Sequence, residues 1–303
     1  MKNYGNILKK IKENHLFSAN VTTIKPTFKK NMTSLLSRTQ SPNSEGRIQN
    51  ITPESADWKY VGFDFFKLKA GQTLKKETGG REVCLVLVTG KASVKTLHES
   101  WDNLGERMSI FSENSGTDGQ PPYAVYVPND DQFSVTAETD LELALCSAPG
   151  KGSFPARLIT PENMTYETRG HGTNTRHICN ILPETAEADS VLVVEVITPN
   201  GNWSSYPPHK HDSDNIPEES YLEETYYHRI NPPQGFALQR VYTDDGSLDE
   251  TMVVQNHDVV MVPRGYHPVG APHGYDLYYL NVMAGPNRIW KFHNDPQHEW
   301  IVK

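Results

Sequence analysis

From Trp58 to near the C-terminus the chain is a train of short segments rich in Val, Phe and Tyr: VGFDFFKLKAG, EVCLVLVTGKASV, YAVYVP, FSVTA and LELALCSAP in the first half. Gly, Pro, Asn and Asp bound them, and no long amphipathic pattern competes. Strand-forming segments separated by turn residues at spacings of about 8–12 residues predict a β-sandwich or β-barrel. Only ETAEADS (184–190) looks weakly helical. The order of segments then repeats. VGFDFFKLKAGQTL is answered by SVLVVEVITPNGNW, a strand opening at Glu82 by one opening at Glu224, VYVPNDDQ by VMVPRGYHP, and LELALCSAP by LYYLNVMAG. The expectation is an all-β fold of two tandem, jelly-roll-like barrel halves, over 46–180 and 181–303.

Residues 1–45 carry no such pattern. MKNYGNILKKIKENHLF suits one short helix and the polar remainder a flexible extension; a translation start at Met32 is a second reading of the same stretch. Hydrophobic residues make up 36% of the 303, enough for a packed core. The net charge of −8 argues against a nucleic-acid partner, because phosphate binding needs a basic face. No segment approaches the ~20 apolar residues of a membrane span, and the N-terminus lacks the apolar core of a secretory signal, so a cytoplasmic protein is expected. The three cysteines form no CxxC pair, and Cys84 and Cys146 read as small buried hydrophobes. Barrel edge strands leave a homo-oligomer open.

The chemistry concentrates in the second half. In PPHKHD, His209 and His211 stand two apart, which on a strand puts both imidazoles on one face; Lys210 between them faces away and is given no role. A strand carrying glutamate follows, and His267 comes after a Pro-Arg-Gly corner. Imidazole and carboxylate together suit a divalent transition metal. Glu218, Glu219, Glu223 and Glu224 compete for the carboxylate position. Alternation lets only one of Glu223 and Glu224 face the metal, and the repeat alignment with Glu82 favours Glu224. The order HxH, Glu, PxGxH resembles the two motifs of the cupin superfamily. The first half has no histidine at the matching positions, so only the second is expected to bind metal.

Alternation from Glu224 puts Tyr226 and His228 on the cavity side. Arg240, a charge within the apolar run GFALQRVYTDD that also holds Gln239 and Tyr242, either faces inward, where it would clasp a carboxylate of the substrate, or forms a surface ion pair; the inward placement is the expectation. The RGHGTNTR run could carry Arg176 to the pocket. His273 in APHGYD reads either as an acid/base group or as a loop histidine, and Tyr279 and Asn281 share a face of the closing strand.

Together PPHKHD, LEETYYHRINPPQGFALQRVYTDDGSLDETMVVQNHDVVMVPRGYHPV and YYLNVMAGPNRIWKFHNDP, with TPESADWKYVGFDFFKLKAGQTLKKETGGREVCLVLVTGKASV, resemble the 5-deoxy-glucuronate isomerases of bacterial inositol catabolism, from about residue 45 to the end. The resemblance implies a bicupin and aldose–ketose conversion of a small sugar acid through an enediol. It also implies a divalent metal, usually zinc, on His209, His211, Glu224 and His267. Glu224, His273 and Tyr226 are the catalytic candidates; Arg240, Tyr242, Arg176 and His228 are the substrate-binding ones. A metal-dependent cupin oxygenase and a non-catalytic sugar-binding bicupin are the rival readings.

Overall fold

The computed structural model describes residues 34–112 and 120–303; the helix expected near the N-terminus and the start at Met32 lie outside them. Two large antiparallel sheets form the centre. One runs in the order Arg157–Ile159, Tyr123–Val127, Arg81–Thr89, Leu141–Pro149, Gly62–Leu68, Arg47–Ile51. The other runs Leu36–Ser37, Val259–Val262, Glu223–Asn231, Asp276–Ala284, Leu192–Thr198, Arg176–Leu182, Thr165–Arg169. Each is closed into a barrel by a four-stranded sheet: Thr73–Glu77, Gln132–Ala137, Ala92–Thr96, Ser100–Leu104 in the first half, and Trp203–Ser204, Val269–Gly270, Ala237–Tyr242, Asp249–Val254 in the second. The matching strand orders bear out the duplication. Among the described residues, no helix is long and apolar enough to cross a membrane.

The two large sheets pack face to face, which explains the unbroken apolar runs of their central strands. In Arg81–Thr89, Cys84, Val86 and Val88 enter the core between the halves, whereas Val83, Leu85 and Leu87 fill the first barrel. In Glu223–Asn231, Tyr227 enters the shared core and stacks on Phe65 with ring centroids 4.0 Å apart, while Tyr226 and Ile230 face the second barrel. All three cysteines are buried and free.

The halves exchange strands. Leu36 and Ser37, which precede the first half, pair with Val260 and Val259 of the second. Arg157–Ile159, which precedes the second half, pairs with Tyr126–Ala124 of the first. Two sequence expectations change as a result. Residues 34–45 are not a free arm: Leu35 is buried, and Arg38 Nη1 lies 2.6 Å from Asp258 Oδ2. The division at 180/181 moves earlier, because Thr165–Arg169 and Arg176–Leu182 hydrogen-bond into the second half's sheet.

Buried carboxylates fasten the exchange. Glu82 accepts the N–H groups of Asp189, Ser190 and Val191, at 2.7, 2.6 and 2.6 Å. Glu223 accepts those of Lys59, Tyr60 and Val61, at 2.8, 2.8 and 3.0 Å. Each sits opposite an alanine of its neighbouring strand, Glu82 by Ala148 and Glu223 by Ala284. The repeat counterpart of Glu82 is therefore Glu223, not Glu224. In this register Val83, Leu85 and Leu87 occupy the places of Glu224, Tyr226 and His228, so the first barrel is apolar where the second is polar. The segment 184–190 is not helical: Glu82 takes three N–H groups at its end, and Arg288 Nη1 takes the carbonyls of Glu184 and Ala186 at 3.1 and 2.6 Å.

Candidate metal centre

Three side chains from separate segments meet inside the second barrel. Glu224 is the second residue of the Glu223–Asn231 strand and points away from the shared core. Its Oε2 lies 3.0 Å from His211 Nε2 and 3.2 Å from His267 Nε2. All three residues are buried, and their ligand atoms lie within 4.8 Å of one another. His267 reaches the cluster from a corner at 263–265, where Gly265 has φ +89° and a Cβ would stand 2.4 Å from the Tyr242 carbonyl oxygen, so a side chain there is strained and blocked.

Both imidazoles are set by their other nitrogen. His211 Nδ1 lies 3.0 Å from the Leu222 carbonyl and His267 Nδ1 2.8 Å from the Gly265 carbonyl. With Nδ1–H donating in each, both Nε2 lone pairs aim at Glu224. His267 Nε2, although buried and 3.2 Å from that carboxylate, makes no hydrogen bond. Two nitrogen lone pairs beside a carboxylate oxygen repel unless a proton or a cation lies among them. A backbone carbonyl fixing the tautomer of a histidine whose second nitrogen is free is the usual support of a metal ligand. The residues fit a divalent cation.

The electrostatics agree. Burial raises the Glu224 pKa, but the close approach and charges of His211 and His267 outweigh it and hold the carboxyl down at about 2. Burial lowers that of His211, but Glu224 outweighs it and the net shift is upward. Burial, followed by the charges of His267 and His211, pushes His209 well below 6.5. His209 is not one of the three converging groups. Its ring packs edge-on to His267 at 4.9 Å between centroids, 6.4 Å from His211, and against Phe292 at 4.6 Å.

Tyrosines continue the polar wall. Tyr226 Oη lies 2.9 Å from Ser205 Oγ, and Tyr279 Oη 2.5 Å from Ser204 Oγ, with the two rings 4.9 Å apart. Burial and then the Glu224 charge push the Tyr226 pKa far above 10, so its hydroxyl stays protonated. Deeper in, His228 Nε2 lies 3.0 Å from Gln239 Oε1, and its buried Nδ1 has no partner among the described residues.

Burial lowers the His228 pKa to about 4, against a partial offset from Gln239. The neutral ring therefore contributes stability fully above its ordinary 6.5, and that contribution is lost as pH falls through about 4. Thermal melts are expected to drop between those pH values, by at most about 1.4 kcal/mol per pH unit from this ring. His228→Phe should flatten the slope; a slope unchanged in the variant would contradict the assignment.

The KduI/IolB family matches residues 35–301. The chain belongs to that family. To the 5-deoxy-glucuronate isomerase of Geobacillus thermodenitrificans (strain NG80-2) it is 61% identical over 272 residues, which cover 90% of this chain and 97% of that protein. The crystal structure of an IolB-like protein from Salmonella typhimurium LT2 superposes with a TM-score of 0.84 at 55% identity, covering 89% of this chain and 99% of that one. Oxalate decarboxylase of Bacillus subtilis shares the two-barrel cupin fold alone, with a TM-score of 0.59 at 14% identity over 88% of this chain and 80% of that one.

Within this KduI/IolB chain the expected site residues divide. Glu224, Tyr226, His228, His209, His211 and His267 lie together. Arg176 shares the inward face of its strand with Ile178, which packs in the barrel core. Its Nη1 donates to the Asn174 carbonyl at 3.0 Å, and among the described residues it has no carboxylate partner. Arg240 does not face inward. Gln239 and Val241 take that side, and Arg240 pairs on the surface with Asp249 at 2.7 Å. Tyr242 shares Arg240's outer face and donates to Asp295 Oδ2 at 2.7 Å. His273 is exposed on the turn between Val269–Gly270 and Asp276–Ala284. Of the competing glutamates, Glu218 is exposed, Glu219 accepts the Asp212 N–H at 2.7 Å, and Glu223 holds the first half. Ser204 and Ser205 were not anticipated, because no periodic signal marks them.

Proposed function

We propose that this protein is an aldose–ketose isomerase that interconverts 5-deoxy-glucuronate and 2-deoxy-5-keto-gluconate in the cytoplasmic breakdown of myo-inositol. The observation that carries the reading is the His211–Glu224–His267 cluster, in a chain 61% identical to a protein named for that activity. We assign the metal to these three residues with His209 as the fourth ligand, and zinc as the ion. Zinc is redox-inert, which suits a redox-neutral reaction. A bound divalent cation supplies Lewis-acid polarisation of an oxygen beside the carbon that loses its proton.

The chain's own groups do the rest. Arg176, a half-buried cation on the inward face, binds the substrate carboxylate. Tyr226, protonated and next to Glu224, donates from Oη to the oxygen on which charge develops, with Ser205 Oγ holding its orientation. Tyr279 and Ser204 offer hydroxyls to the sugar. The buried walls exclude water from the reacting carbons. His273, on its exposed turn, takes no part. The free, buried cysteines accord with a reducing compartment.

Arg176→Ala is expected to raise KM by about 10–100-fold, the loss of a charged hydrogen-bonded pair. Arg240→Ala should leave KM unchanged, because Arg240 points outward. The reverse pattern would move the carboxylate site to the other arginine. The reading itself is tested by NMR of 5-deoxy-glucuronate incubated with the protein. Ketose signals are expected; oxygen uptake, or saturable binding with an unaltered substrate spectrum, would reject it.

A further inference from the structure

The two residues that flank His211 tie its segment to the corner that carries His267. Asp212 Oδ2 accepts the N–H of Gly265, 53 residues away, at 2.8 Å. The carbonyl of the same Gly265 receives His267 Nδ1–H at 2.8 Å. One glycine, conformationally fixed by its blocked Cβ direction, is thus held on its N–H side by Asp212 and on its carbonyl side orients the imidazole. The other Asp212 oxygen is engaged as well: Lys210 Nζ lies 3.1 Å from Oδ1 and 3.2 Å from Asp244 Oδ2. Asp244 Oδ1 accepts Tyr266 Oη at 3.0 Å, and Lys210 Nζ sits 5.7 Å from the Tyr266 ring centroid. The Asp212 N–H is taken by Glu219 Oε1 at 2.7 Å, so the aspartate backbone is anchored too.

This bracket lies outside the cluster and touches no ligand nitrogen directly. Lys210, which seemed idle because it faces away from His209 and His211, clamps the aspartate from the solvent side. The arrangement does more than join two segments. It holds the N–H of the one residue, Gly265, whose carbonyl sets the tautomer and aim of His267, and a histidine aimed by a fixed partner is a stronger ligand.

We propose that Asp212, with Lys210 fixing its second oxygen, is a positioning residue that sets His267 for metal binding. The inference rests on the metal reading above. It is tested on metal-stripped full-length protein by the Kd for zinc, from competition with a chromophoric chelator, and by the visible spectrum after loading with cobalt(II). Asp212→Ala is expected to weaken zinc binding by about 10–100-fold and to alter the cobalt bands. Asp212→Asn keeps an oxygen for the Gly265 N–H and should recover most of the affinity. Asp249→Ala, which breaks a surface pair on the same barrel, should change neither readout. A folded Asp212→Ala protein with wild-type zinc Kd and cobalt spectrum overturns the proposal, even if it melts earlier, because a merely structural role would produce that result. If Asp212→Ala fails to fold, Lys210→Met decides: weakened zinc binding supports the bracket, and unchanged binding overturns it. A wild-type protein that binds neither zinc nor cobalt would instead defeat the metal reading itself.

Discussion

Glu224→Gln is expected to fold with the wild-type β-sheet circular dichroism, to bind zinc far more weakly and to lose kcat/KM by about 10³-fold or more, the several kcal/mol that a Lewis-acid metal supplies. The substitution keeps the shape of the side chain and removes its charge. It strikes the carboxylate that touches both His211 Nε2 and His267 Nε2, at 3.0 and 3.2 Å. Metal content by elemental analysis and initial rates by NMR check it together. A variant that keeps stoichiometric zinc and wild-type turnover would show that Glu224 is neither ligand nor catalytic partner.

The preceding residue should behave in the opposite way. Glu223→Ala leaves three backbone N–H groups, those of Lys59, Tyr60 and Val61, without an acceptor in a buried seam between the halves. At about 1–3 kcal/mol for each unsatisfied buried group, the loss is about 3 kcal/mol or more. That corresponds to a drop in Tm of up to about 6–12 °C. The protein that remains folded should still bind metal and turn over. Glu82→Ala, at the repeat-related position, should cost a similar amount. Wild-type melting of both variants would mean that the carboxylates do not fasten the halves. Two adjacent glutamates on one strand thus serve two faces: Glu224 meets His211 and His267 inside the barrel, and Glu223 fastens the halves.

The sequence exposed the second face of that strand well. Alternation through EETYYHRI correctly grouped Glu224, Tyr226 and His228, because a strand with both sides buried still obeys a period of two. It did not reveal which of two neighbouring glutamates matched Glu82. That depended on which carboxylate found backbone N–H groups in the other half, a contact between residues more than 100 apart. Arg240 was misjudged because ALQRVY carries a polar residue on each face. The exposed sheet tolerates Leu238 and Tyr242 outside, so hydrophobicity alone does not orient it. Leu36–Ser37 was illegible because a two-residue strand in a polar stretch has no period, and its partner is Val259–Val260. The helical look of 184–190 yielded to Glu82 and Arg288, whose side chains take backbone groups that a helix would have used itself. The significance of Asp212 lay in a hydrogen bond from a bend to a strand end 53 residues away that no spacing rule encodes.

If the reading is right, turnover depends on one cation held by the imidazoles and carboxylate of the second barrel. The most direct measure of this dependence is the rate of conversion of 5-deoxy-glucuronate by protein stripped with a chelator, then titrated with zinc. The stripped protein should be inactive, and activity should return in proportion to added zinc, reaching its maximum near one ion per chain. Protein shown by elemental analysis to be free of metal, yet isomerising the sugar acid at the full rate, would contradict it.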